Sequence, residues 1–196
     1  MLKVYPGIKG LIFDLDGTLV NSLPVHMESW QHVCGAFNYI FTTEKLLEMT
    51  GRPTIEFARY IKSAAKNCHL SIEEITSNKQ IHFLNNLHKV KVIQPVLDVV
   101  YQYKDKLPMT VGTGASKRSA EKILSTLGVS GYFDALVTAD DVENHKPHPD
   151  TFLKCAELMQ VSPEDCQVFE DGELGIQAAK TAGMKITDVR NLINDH

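Results

Sequence analysis

Nowhere in these 196 residues do Lys and Arg form a long block, and 20 basic against 24 acidic side chains leave a formal net charge of -4. That excludes a protein that binds nucleic acid or a membrane surface through charge. No apolar run is long enough to cross a bilayer, and an early Lys is followed by no extended apolar stretch before the first acidic pair. Cysteine is sparse: Cys34, Cys68, Cys155 and Cys166 lie far apart, form no Cys-x-x-Cys pair and sit mostly in apolar surroundings. They read as buried free thiols of a reducing, cytoplasmic compartment. Internal repeats and low-complexity segments are missing as well. What remains is an ordinary globular chain, long enough for one core or for a core with a small inserted domain. A monomer is the default expectation.

The organising stretch is Leu11-Ile12-Phe13-Asp14-Leu15-Asp16-Gly17-Thr18. Its apolar run predicts a buried strand of a parallel sheet covered on both faces. A strand running straight through both acids would put Asp14 and Asp16 on one face at its carboxyl end, where open α/β sheets bind ligands. Two carboxylates so close resist joint ionisation unless a cation joins them. A hard divalent ion such as Mg²⁺ answers that need. The same two acids would equally serve as a turn Asp and a helix cap.

From Asn21 onward the pattern turns helical. Pro24 opens a helix carrying Val25, Trp30, Val33 and Cys34, which Gly35 weakens, and Thr43 to Met49 forms a second, broken by Gly51-Arg52-Pro53. Ile55, Ala58, Ile61 and Ala65 follow helical spacing, as do Ile72, Ile75, Phe83, Leu84 and Leu87. No strand signal interrupts them. Residues 21–94 are therefore expected to be an all-helical lobe inserted into a core made of residues 1–20 and 95–196.

That core alternates helix and strand: a helix from Gln94, a strand Pro108–Gly114, a helix stopping at Gly128 and a strand within Tyr132–Thr138. A helix with Phe152, Leu153, Ala156 and Met159 inward follows, then a strand ending at Glu170-Asp171, a helix Glu173–Ala182 and a strand Met184–Val189. The alternation predicts an α/β fold with a doubly wound, Rossmann-like parallel sheet. Such a sheet gathers Asp14, Asp16, Thr113, Lys146, Glu170 and Asp171 at one edge. Taken singly, Lys146 also reads as a solvated loop cation, Thr113 as a strand residue, and Glu170-Asp171 as capping acids. His145 and His148 flank Lys146, but Pro147 and Pro149 account for that loop better than a transition metal does.

Four motifs in this order carry a resemblance: Asp-x-Asp-Gly-Thr at Asp14–Thr18, the small-residue strand end at Val111–Gly114, Lys-Pro-x-Pro-Asp at Lys146–Asp150, and Val-Phe-Glu-Asp-x-x-x-Gly-Ile-x-Ala-Ala at Val168–Ala179. Over nearly its whole length the chain resembles the haloacid dehalogenase superfamily, in the branch with a helical cap after the first strand. Within that branch it is most similar to β-phosphoglucomutases and to phosphatases of fructose-1-phosphate and 6-phosphogluconate.

The resemblance implies a Mg²⁺-dependent phosphatase of a small phosphorylated sugar or sugar acid, with no nucleic-acid or membrane partner. Asp14 would be the nucleophile and Asp16 the acid and base. Asp14, Asp16 through its main chain, Asp171 and Glu170 would serve the metal. Thr113, Lys146 and the backbone near Gly114, Ala115 and Ser116 would hold the phosphoryl group, with Gly112 and Gly114 letting the backbone approach it. By position, His26 matches a cap histidine that assists the acid-base group. Gly51, Arg52 and Thr54 resemble a substrate-contacting cap loop, although the mutase arginine would fall at Thr54. Lys79 matches a cap lysine for a distal phosphate and reads equally well as a plain solvated Lys. Asn21-Ser22 departs from the family, which places an acid before Ser or Thr. A β-phosphoglucomutase is the nearest alternative, and a catalytically silent phosphate-binding protein is the alternative of another class.

Overall fold

The computed structural model describes residues 2–192. In chain order, β1 (Gly10–Phe13) and β2 (Val20–Asn21) lead into α1 (Leu23–Gly35), α2 (Thr43–Met49), α3 (Thr54–Ala64) and α4 (Ile72–Asn85). β3 (Lys91–Val92) and α5 (Gln94–Tyr103) follow, then β4 (Met109–Gly112), α6 (Lys117–Thr126), β5 (Ala135–Val137), α7 (Asp150–Met159), β6 (Cys166–Glu170), α8 (Glu173–Thr181) and β7 (Lys185–Asp188).

Five strands form one parallel sheet in the order β5-β4-β1-β6-β7. β1 is central, which is why all four of its residues are buried and why its sequence is a continuous apolar run. Its side chains alternate between two cores. Leu11 and Phe13 join Val96, Val100, Ile123 and Leu124 beneath α5 and α6, while Ile12 joins Phe152, Ala156, Val168 and Ala178 beneath α7 and α8. Phe13 and Phe169 on neighbouring strands stack at 4.8 Å, fixing β1 against β6 next to the acids that end both strands.

Helices α1 to α4 surround a separate cluster that includes Trp30, Phe41, Phe57, Ile61 and Ile75, with Trp30 stacked on Phe57 at 5.4 Å. The chain enters and leaves this helical lobe through an antiparallel ribbon, Val20 opposite Val92 and Asn21 opposite Lys91. The sequence reading has no strand here, because two residues carry no detectable period. Two further positions differ from it. Leu153 and Ile55 are exposed, since the buried stripe of α7 runs through Phe152, Cys155, Ala156 and Met159 and that of α3 through Phe57, Ala58 and Ile61. All four cysteines are free, three buried and Cys68 half-buried.

Replacing Phe13 by Ala removes the ring that joins β1 to β6. Urea unfolding is expected to show a loss of about 3–5 kcal/mol, the range for a buried Phe truncated without collapse of the cavity.

Candidate active site

Parallel strands bring the carboxyl ends of β1, β4 and β6 to one edge. Asp14 continues the β1 ladder by donating its N–H to the Phe169 carbonyl at 3.0 Å, so its side chain stands beside Glu170 and Asp171. Oxygens of the three carboxylates lie within 4.8 Å of one another, and all three residues are buried. Lys146, from the loop between β5 and α7, places its buried Nζ 2.7 Å from Asp14 Oδ1 and 2.7 Å from Glu170 Oε2. Thr18 Oγ1 donates to Asp171 Oδ1 at 2.9 Å.

Two glycines make the crowding possible. Gly17 turns the chain at a φ of +92°, and a Cβ there would overlap the Asp171 carboxylate; a Cβ on Gly175 would overlap Glu170. One ammonium faces three carboxylates. Burial and Glu170 push the Asp14 carboxyl up to about 8 against the opposing pull of Lys146. Burial, Glu170 and Asp14 likewise hold Asp171 well above the ordinary range. Asp14, Glu170 and Asp171 are thus the residues that could hold a metal, and a divalent cation would supply the charge they lack.

Asp16 turns the other way, because β1 ends at Phe13 and the straight strand expected through both acids is not formed. Its Oδ1 accepts from Ser22 Oγ at 2.5 Å and lies 3.0 Å from His26 Nε2. Lys79 Nζ reaches His26 Nδ1 at 2.6 Å. An ammonium can only donate, so His26 accepts at Nδ1 and carries its proton on Nε2, facing Asp16. Burial opposes ionisation of Asp16, yet His26, Ser22 and Lys79 outweigh it and hold the carboxyl below its usual value. Burial lowers Lys79 to about 8, and burial with the Lys79 charge lowers His26. The imidazole is therefore a neutral relay between a buried ammonium and a buried carboxylate. It stacks on Phe83 at 4.1 Å, and Lys79 Nζ lies over the same ring at 4.8 Å.

Asp14 and Asp16 open onto one chamber between the sheet edge and the helical lobe. The sequence profile of the haloacid dehalogenase-like hydrolases matches residues 11–189. The chain belongs to that family. It is a phosphoric monoester hydrolase. It is 40% identical over 192 residues to the fructose-1-phosphate phosphatase YqaB of Escherichia coli, covering 96% of this chain and 100% of that protein. It is 32% identical over 179 residues to the validoxylamine A 7'-phosphate phosphatase of Streptomyces hygroscopicus subsp. limoneus, covering 90% and 83%. A crystal structure of β-phosphoglucomutase from Clostridium difficile matches its fold with a TM-score of 0.81 at 24% identity, covering 94% of this chain and 87% of that one.

In this haloacid dehalogenase-like hydrolase the chamber wall includes Thr113, Gly114, Ala115 and Ser116 from the core and His26, Gly51, Arg52, Thr54 and Lys79 from the lobe. Lys79 is not a solvated lysine, because α4 packs it under the lobe beside His26. Lys146, Glu170, Asp171 and Gly112 do not line the chamber. Lys146 sits on the carboxylates, not at an open phosphoryl position. The Asp16 side chain lies outside the carboxylate trio.

Gly112 and Gly114 have different reasons from the one expected of them. A Cβ on Gly112 would stand 2.9 Å from Cys155 Sγ, so that glycine lets α7 pack on β4, whereas Gly114 faces the lobe. The Ala115 amide is already engaged, donating to Thr113 Oγ1 at 3.1 Å, which leaves the Thr113 hydroxyl proton free to donate. Trp30, Leu46 and Phe57 add an apolar wall, of which the sequence reading named only Trp30, as a residue of the first lobe helix. The lone Trp was the available signal, but helical spacing cannot tell a core side chain from one that also borders a cavity.

Lys79→Met removes the charge that, with burial, disfavours the imidazolium. The His26 titration midpoint, followed by NMR, is expected to move up from its position below the ordinary value of 6.5.

Proposed function

We propose that the protein hydrolyses small sugar monophosphates, of the fructose-1-phosphate or 6-phosphogluconate type, in a Mg²⁺-dependent reaction through an aspartyl phosphate. The observation that carries this reading is one chamber bordered by two carboxylates in opposite electrostatic states. Asp14 is crowded by acids and bound to Lys146, while Asp16 is held ionised by Ser22, His26 and Lys79. Both named phosphatase relatives support the substrate class. Three buried hard-oxygen donors facing a single ammonium suit Mg²⁺. Asp14, Glu170 and Asp171 would hold it, with Asp16 contributing through its main chain, and its charge would offset the carboxylates and the phosphoryl oxygens.

Lys146 occupies Oδ1 of Asp14 and leaves Oδ2 to attack phosphorus in line. As the bond from phosphorus to the sugar oxygen breaks, Asp16 passes that oxygen a proton drawn through His26: Nε2–H moves to Asp16 Oδ1 as Lys79 Nζ gives a proton to Nδ1, so the imidazole ends neutral and Lys79 becomes the neutral amine. Water then attacks the aspartyl phosphate, Asp16 takes its proton, and the bond from phosphorus to Oδ2 breaks to restore Asp14. The depressed pKa of Asp16 suits this second role. Thr113 Oγ1 donates to a phosphoryl oxygen throughout. Residues 21–94 serve as a cap on the core of residues 1–20 and 95–196, excluding water and contacting the sugar through Gly51, Arg52 and Thr54.

A mutase would need to retain a second phosphate. Among the described residues the only Lys or Arg side chains lining the chamber are Arg52, paired with Glu56 at 2.8 Å, and Lys79, committed to His26. Neither stands free for that task, which favours water as the acceptor.

The test is phosphate release with Mg²⁺ and with chelator from fructose-1-phosphate, 6-phosphogluconate and β-glucose-1-phosphate, following glucose-6-phosphate in the last. Metal-dependent release is expected; glucose-6-phosphate without release would make the enzyme a mutase. Asp14→Asn should abolish turnover with the unfolding midpoint retained, and Lys146→Ala should raise the barrier by at least about 2.7 kcal/mol.

A further inference from the structure

The cap packs on the core at α6 through α4, and over the site it meets the core through one tight turn. Met49 to Arg52 closes with the Arg52 N–H donating to the Met49 carbonyl at 3.1 Å, with Thr50 at φ -54°, ψ 134° and Gly51 at φ +93°. These are the angles of a type II turn, whose third position calls for glycine. The turn rests on three core loops at once. A Cβ on Gly51 would lie 3.6 Å from Lys146 Cδ and 3.8 Å from Leu174 Cβ, and one on Gly172 would lie 3.4 Å from Thr50 Cγ2. The third loop is met at Gly114. A Cβ there would overlap the Gly51 carbonyl oxygen and stand 3.0 Å from the Gly51 carbonyl carbon.

Gly114 does not need to be glycine for its own backbone, because its φ lies outside the positive region. The nearest obstacle to a side chain there is the cap, at Gly51 and Arg52. That obstacle is main chain, so no rotamer relieves it, and the cap turn would have to retreat by about 1 Å, a misplacement that costs up to a hundredfold in an active site.

We infer that the backbone contact between Gly51 and Gly114 sets how deeply the cap closes, making Gly114 a specificity-determining residue that confines the chamber to compact phosphate esters. This rests on the phosphatase reading above for its substrate consequence, but not for the closure itself. With a side chain at 114 the turn rides higher over the stem of Lys146 and the chamber admits water and larger alcohols. Compact sugars then lose the contacts that orient them. An aryl phosphate such as p-nitrophenyl phosphate, whose leaving group needs no proton from Asp16, loses less.

Gly114→Ala tests this with two readouts. Relative to the parent, kcat/KM for fructose-1-phosphate should fall tenfold or more, and the ratio of p-nitrophenyl phosphate to fructose-1-phosphate kcat/KM should rise at least fivefold. Trp30, the single Trp of the chain, borders the chamber from the cap and is almost fully buried. Its quenching by acrylamide, measured with Mg²⁺ and inorganic phosphate present, should at least double at an unchanged unfolding midpoint. A substrate ratio and a quenching constant that both stay at parental values would overturn the inference, even if both rates fell together. If the parent itself releases phosphate from no ester, the phosphatase reading fails, and the quenching comparison alone decides whether Gly114 limits closure.

Discussion

One buried ammonium among three buried carboxylates is the constraint on which the rest of the site depends. Lys146 is held charged by Asp14 and Glu170 against the burial that opposes it, and both contacts are 2.7 Å long. Removing the ammonium would leave three carboxylates unpaired in a medium that screens poorly, whereas losing the charge of one carboxylate leaves Lys146 still paired with another. The cluster also joins the ends of β1 and β6 to the loop before α7. Its surplus of negative charge shows most in Asp14 and Asp171, whose carboxyls are pushed far up. That surplus is the feature a divalent cation would offset.

Asp16 sits two residues from Asp14 and lives in the opposite field. The reason is the turn at Gly17, which swings its side chain away from the trio toward Ser22 and His26 on the entry to the helical lobe. Lys79 on α4 then reaches the far side of the imidazole. The charge state of a core carboxylate is thereby made to depend on two lobe helices. Displacing the lobe would strip Asp16 of the interactions that overcome its burial. The ionisation of Asp16 and the position of the lobe are thus coupled by hydrogen bonds.

Much of this was legible in the chain. The apolar run of Leu11–Phe13 gave a central strand because a strand buried on both faces needs no polar alternation. The helices of the lobe and the order of acids at successive strand ends followed from period and from short motifs. The β2–β3 ribbon escaped because two-residue strands have no period. Leu153 and Ile55 were misassigned because apolar residues near one helix face look alike until a partner surface picks among them. Gly112 and Gly114 looked like a matched pair for phosphate approach. In the fold one admits Cys155 and the other admits the lobe.

The sequence alone determined the composition of the site: which acids, which lysine, which strand ends, because covalent order and hydrophobic period place residues on elements. Tertiary structure decided the electrostatics. Whether Lys79 is solvated or buried, whether Lys146 faces open space or carboxylates, and whether Asp16 joins Asp14 or opposes it are all settled by contacts between residues far apart in the chain. Local sequence carries no record of those distances, and the energy of a charge depends on them as much as on the charge itself.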